Sequence, residues 1–108
     1  MGLVKFVSLA QAQGAPLTPG DISALLHAHG SMTLEYYAPR GQDPQKPHAK
    51  DEIYIIAGGR ARFTYDGEHV ACAQGDALFV PAGVVHRFEE MSDDFGTWVV
   101  FYGSEGGE

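Results

Sequence analysis

Two stretches of the chain each set a histidine beside an apolar strand, and they hold the side chains best suited to chemistry. In the first, from Gly41 to Gly59, His48 and Glu52 stand on either side of Ala49-Lys50-Asp51. In the second, from Gly75 to Phe88, His86 follows the turn Pro81-Ala82-Gly83. Imidazole and carboxylate are groups that ligate metals and move protons near neutral pH. His48 and His86 also have a plainer reading, as hydrogen-bonded polar groups in a metal-free pocket. The other histidines carry less. His27 and His29 form a His-x-His beside Gly30, and His69 lies in a hairpin strand; all three read as turn or surface residues. Cys72, the one cysteine, sits between alanines and reads as a small buried hydrophobe. A single cysteine excludes an internal disulfide and a cysteine-rich zinc module.

Short strands must position these groups. With 14 glycines and 6 prolines in 108 residues, the chain is rich in tight turns. Apolar runs follow one another at Met32–Ala38, Ile53–Ala57, Arg60–Tyr65, Glu68–Ala73, Ala77–Val80, Val85–Glu89 and Thr97–Tyr102. Turn residues divide them, among them Asp66-Gly67, a hairpin signal. About eight short antiparallel strands at this spacing predict an all-β sandwich or barrel. The barrel is assigned to residues 31–108 of a single domain, with a frayed tail from Gly103. Residues 1–30 read as an N-terminal arm. It holds a strand candidate at Leu3–Leu9, a Gly/Pro-rich connector, and a short helix at Asp21–Gly30 that Asp21 would cap, although a strand also fits there.

Ile53-Tyr54-Ile55-Ile56 and Trp98-Val99-Val100-Phe101-Tyr102 have no polar face, so both sides of each need cover. In so short a chain that points to a homodimer. Seven basic against fourteen acidic residues give a net charge of −7. That argues against nucleic acid and against a polybasic membrane contact. No apolar stretch reaches membrane length and no secretory leader is evident at the N-terminus, so a reducing, cytoplasmic location is expected.

The two histidine segments resemble the motifs of the cupin superfamily. Gly75, Pro81, Gly83 and His86 match the second motif in spacing, with Glu90 where the family often has Asn. Glu52 and Gly59 match the first motif, but its His-x-His is reduced to one histidine. The resemblance implies a double-stranded β-helix, or jelly-roll barrel. It implies a divalent metal (Fe, Mn, Ni or Zn) held by His48, Glu52 and His86, a two-histidine, one-carboxylate set with open positions. A straight strand would put side chains four residues apart about 13 Å from each other, so a shared ion requires a bend at Ala49-Lys50-Asp51. In one register Lys46 stands where the missing histidine belongs; in the other, Lys50 does. Gln45 is a further candidate ligand.

With Glu52 inward, Tyr54 and Ile56 share its face, and Phe88 shares that of His86. Ile56, Phe88 and Lys46 are therefore candidate pocket residues, and Tyr54 and Lys50 candidate catalytic residues for proton transfer. Arg60, Arg62 and Thr64 lie on one face of their strand, inward or outward. The resulting expectation is a small cupin that binds, isomerises or oxygenates a small polar or anionic metabolite. The alternative is a non-catalytic small-molecule binder or a metal-free structural cupin.

Overall fold

The computed structural model describes residues 6–108. After a short helix α1 (Leu9–Gly14) the chain forms eight strands: β1 (Ala24–His29), β2 (Met32–Tyr37), β3 (Asp51–Gly58), β4 (Arg60–Tyr65), β5 (Glu68–Ala73), β6 (Ala77–Val80), β7 (His86–Glu89) and β8 (Gly96–Tyr102). They make a five-stranded sheet in the order β1-β2-β8-β3-β6 and a three-stranded sheet in the order β5-β4-β7. Every pairing is antiparallel, and the two sheets close on each other as a jelly-roll barrel.

Register decides which side chains meet, because cross-strand partners share a face. Thr33, Phe101, Glu52 and Val80 form one row across the inner face of the large sheet. Glu35, Val99, Tyr54 and Leu78 form the next, and Tyr37, Thr97 and Ile56 a third. From the small sheet, Phe63 pairs with Phe88 and Tyr65 with His86. Phe88 fills the space between, its ring 4.9 Å from Tyr54, 5.0 Å from Phe63 and 4.8 Å from Phe95. Aromatic packing at these distances holds Tyr54 and the strand of His86 in fixed orientation.

Turn chemistry sets the ends. Asp66 and Gly67 both have positive φ, as a two-residue hairpin turn requires. Gly59 has φ +71, and a Cβ there would lie 2.8 Å from the Phe95 backbone, so only glycine fits.

Three expectations are corrected. Asp21–Gly30 holds no helix: residues 24–29 are β1, hydrogen-bonded to β2 through a hairpin at Gly30. Pairing along a sheet edge satisfies this backbone better than a short isolated helix could. Residues 24–29, within the segment read as the arm, thus pair as an edge strand of the large sheet. The helix lies earlier, where Ser8 accepts from the Gln11 amide and the Gln11 side chain accepts from the Ser8 amide, a capping box. Of the strand candidate at Leu3–Leu9, residues 3–5 lie outside the described residues, and Leu9 opens α1. The tail is docked rather than frayed: Gly106 donates to the Ala49 carbonyl at 2.6 Å and Glu108 to the Asp51 carboxylate at 3.1 Å.

The outer face of the large sheet is apolar. Leu34, Ile55, Trp98 and Val100 line a groove there, and Phe79 nearby is half exposed. No helix among the described residues is long and apolar enough to cross a membrane.

Candidate metal centre

The segment from Ala38 to Lys50 has no regular structure and runs to the seam between the two sheets. The Gly83 amide donates to the His48 carbonyl at 2.8 Å, which ties this segment to the turn before His86. The chain bends at Ala49-Lys50 and enters β3 at Asp51. The bend returns His48 toward Glu52, with Nε2 3.9 Å from Oε1 instead of the separation a straight strand would impose. Across the seam, His86 Nε2 lies 2.8 Å from the same oxygen. One donor atom from each of His48, Glu52 and His86 lies within 4.8 Å of the others. Ligands that share one ion at about 2.0–2.2 Å must be that close.

Glu52 is 1% exposed, and neither of its carboxylate oxygens has a hydrogen-bond donor among the described residues. His86 Nε2 approaches it closely, but without hydrogen-bond geometry. A buried, donorless carboxylate is costly unless a cation lies against it. The imidazole of His86 is oriented to ligate such a cation. Its Nδ1 lies 2.8 Å from the Val84 carbonyl and donates to it, so Nε2 keeps a lone pair on the Glu52 side. Burial lowers the pKa of His86, but the Glu52 carboxylate and the Val84 carbonyl raise it more, and the net shift is upward.

Gln45, 7% exposed, brings its side-chain oxygen to the same point. Oε1 is 3.1 Å from His48 Nε2 and 3.0 Å from His86 Nε2, and it accepts from the Tyr54 phenol at 2.9 Å. The amide is held in this sense by Asp43, whose carboxylate accepts from Gln45 Nε2, the Gln45 backbone N–H, the Phe88 N–H at 2.8 Å and the Tyr37 hydroxyl. A carboxylate so occupied must face the NH₂ of Gln45, which leaves the carbonyl oxygen facing the imidazoles. Tyr54 lies 3.0 Å from His86 Nε2. Burial first, then the charge of Glu52, holds its pKa well above the usual tyrosine value, so it stays a phenol and a donor. Burial and then Asp43 do the same to Tyr37.

The residues present fit a divalent ion. Two imidazole nitrogens, one buried carboxylate and one amide oxygen converge from opposite sides of the seam. That is a mixed nitrogen and oxygen set suited to Fe, Mn, Ni or Zn.

Other candidates lie elsewhere. The Lys50 amine donates to the Ser31 carbonyl at 2.8 Å, turned away from the histidines. Lys46 is exposed and does not line the cavity beside the site. Ile56 and Phe88 are each 1% exposed and belong to the hydrophobic core beneath the site, not to its open wall. Arg60 and Arg62 point outward, since Ala61 and Phe63 take the inner face; Arg62 pairs with Glu89 and Glu90. Thus no basic residue reaches the site from this strand. Sequence reasoning missed Asp43 and Glu35; Asp43 lies within the first histidine segment but at none of its matched positions, and Glu35 lies outside both segments.

A cavity of about 230 Å³ opens beside the centre, lined by Gln45, His48, Tyr54, Tyr37, Phe101 and Glu35 among others. A larger concavity, about 550 Å³, lies over Arg60, Arg62 and His69. It is an open trough on the outer face of the small sheet, remote from the histidines, and it has no part in this chemistry.

Comparison with known proteins bears on the fold. A protein of unknown function from Rhizobium leguminosarum has a solved structure that superposes with a TM-score of 0.75 at 26% identity, covering 96% of this chain and 100% of its own. An uncharacterized Streptomyces coelicolor protein is 48% identical over 59 residues, 55% of this chain and 56% of that protein. A Streptomyces gentisate 1,2-dioxygenase is 27% identical over 67 residues, 61% of this chain and 19% of that enzyme. The chain therefore spans about half of the first of these two relatives and a fifth of the second. The family model described as Cupin domain matches residues 33–102, from β2 through β8 and across every residue of the centre. On that match and this barrel, the chain belongs to the cupin family.

Proposed function

We propose that the chain holds a divalent metal ion through His48, Glu52 and His86, with the Gln45 amide oxygen as a fourth donor, and receives a small polar molecule from the adjoining cavity. The observation that carries this is the Glu52 carboxylate, buried without a donor between two imidazoles. A bound ion would act there as a Lewis acid toward a ligand oxygen. Tyr54, fixed as a phenol beside His86, holds a proton next to that position. Oxygenation or isomerisation of the bound molecule is the proposed reaction class, and the likeness to a gentisate 1,2-dioxygenase supports the first. The apolar outer groove is the proposed contact between two copies of the chain.

A metal-free polar pocket is the second reading. Gln45 Oε1, which accepts from Tyr54 and lies close to both imidazoles, favours it. Glu52 weighs against it, because that network gives the carboxylate no hydrogen-bond donor among the described residues, only the nearby imidazoles. Titration of chelator-treated protein with Co²⁺ separates the two. Visible absorption that saturates at one equivalent, and is lost in His86→Ala, supports the metal centre. Absence of any such absorption in folded protein refutes it.

A further inference from the structure

Glu35 is the one carboxylate of the cavity wall outside the group that converges on the metal centre, and no described Lys or Arg lines the cavity with it. Its place follows from the register. Glu35 pairs with Val99, which pairs with Tyr54, so two strand spacings, about 9.6 Å, separate the Glu35 and Tyr54 backbones along one row. The metal centre lies at one end of the cavity and this carboxylate at the other. Val99 and Phe101 form the floor between them, and Ile22 stands at the mouth.

The carboxylate is held in place. The Ser23 hydroxyl donates to Oε1, and the Thr33 hydroxyl donates to Oε2 at 3.0 Å. Two hydroxyl donors fix its orientation and leave about two of its four acceptor positions free. Neither donor neutralises it, and Glu35 has no cationic partner among the described residues. A negative charge in a partly desolvated cavity attracts a cation and repels an anion, and either effect is stronger there than in water.

We infer that the cavity selects a small molecule with an oxygen donor at one end and a protonated amine at the other. The oxygen end faces the metal centre, the amine is taken by Glu35, and an apolar body about one ring long rests on Val99 and Phe101. This rests on the metal reading above and narrows its substrate class from polar or anionic molecules to amine-bearing ones.

Three catechols that differ only in the substituent at ring position 4 provide the test: dopamine, 4-methylcatechol and 3,4-dihydroxyphenylacetate, titrated calorimetrically into zinc-loaded protein. Dopamine should bind at least tenfold more tightly than the acid, with 4-methylcatechol between them. In Glu35→Gln the preference for dopamine over 4-methylcatechol should fall to within twofold, with the zinc content unchanged. Equal or tighter binding of the acid, no binding of any probe by protein that holds zinc, or an undiminished preference in Glu35→Gln overturns the inference. Zinc content measured on the same samples separates the two failures: protein that takes up no zinc refutes the metal reading itself, and with it this inference.

Discussion

Oε1 of Glu52 lies 2.8 Å from Nε2 of His86, across the seam between the two sheets, and neither oxygen of that carboxylate has a hydrogen-bond donor among the described residues. The two side chains arrive from different sheets, β3 in one and β7 in the other. Their approach is therefore a product of barrel closure. That closure brings together a group, with His48 from the irregular segment, that could hold a metal ion.

Asp43 should govern metal affinity without touching the metal. It orients Gln45 and anchors the Phe88 amide. In Asp43→Asn the new NH₂ would face donors, and Gln45 would turn. Loss of an orienting partner costs about tenfold to a hundredfold in metal affinity. Competition titration against a chelator should show that loss in Asp43→Asn and in Gln45→Ala. The double variant should be little worse than Gln45→Ala, since both changes act through one oxygen.

Tyr37 gives the fold an alkaline limit. Burial and the neighbouring Asp43 raise its pKa far above the unfolded value near 10. A raised acid pKa contributes stability that is complete below the unfolded pKa and is lost as pH rises through the folded one. Between about pH 10 and 12 the wild type should lose stability faster than Tyr37→Phe, measured as urea midpoints. Absorbance at 295 nm should show Tyr37 ionising only on unfolding.

Glu90 occupies left-handed backbone, φ 51, at the place where the family pattern often has Asn. A non-glycine side chain is strained there, and Asn tolerates it better. Its ion pair with Arg62 is exposed and worth little. Glu90→Asn should therefore stabilise by roughly 0.5–1 kcal/mol. A rise of a few degrees in Tm, with metal content unchanged, is the expected result.

Much of the barrel was legible because strand periodicity and turn pairs such as Asp66-Gly67 are local signals. β1 was harder. Ala24–His29 can be written as a helix or a strand, and only its pairing with Glu35 and its neighbours on β2 decides between them. The capping box at Ser8 and Gln11 was readable, but so short a helix between glycines and prolines gives little periodicity. At the site, His48, Glu52 and His86 stood out by motif spacing. Gln45 could not be separated from Lys46, because period-2 counting fails where the chain is irregular, and it is Gln45 that turns inward. Glu35 carried a faint signal, as a lone acid in an otherwise uncharged strand.

The outer face of the large sheet should make the molecule a dimer. Ile55 is 38% exposed and Phe79 53%, beside Trp98 and Val100 on the same face. Light scattering at micromolar concentration should give twice the 11.6 kDa of one chain. Ile55→Asp should return it to one chain without loss of strand content by circular dichroism. A wild-type mass near a single chain refutes the dimer.

The most direct measurement is elemental analysis of protein purified without added metal, followed by titration with Zn²⁺ and Mn²⁺. The expected result is close to one equivalent per chain, at purification or after titration, with at least a tenfold weaker affinity in Glu52→Gln. Less than a tenth of an equivalent after titration of the folded wild type, or unchanged affinity in Glu52→Gln, would contradict the assignment of His48, Glu52 and His86 as a metal centre.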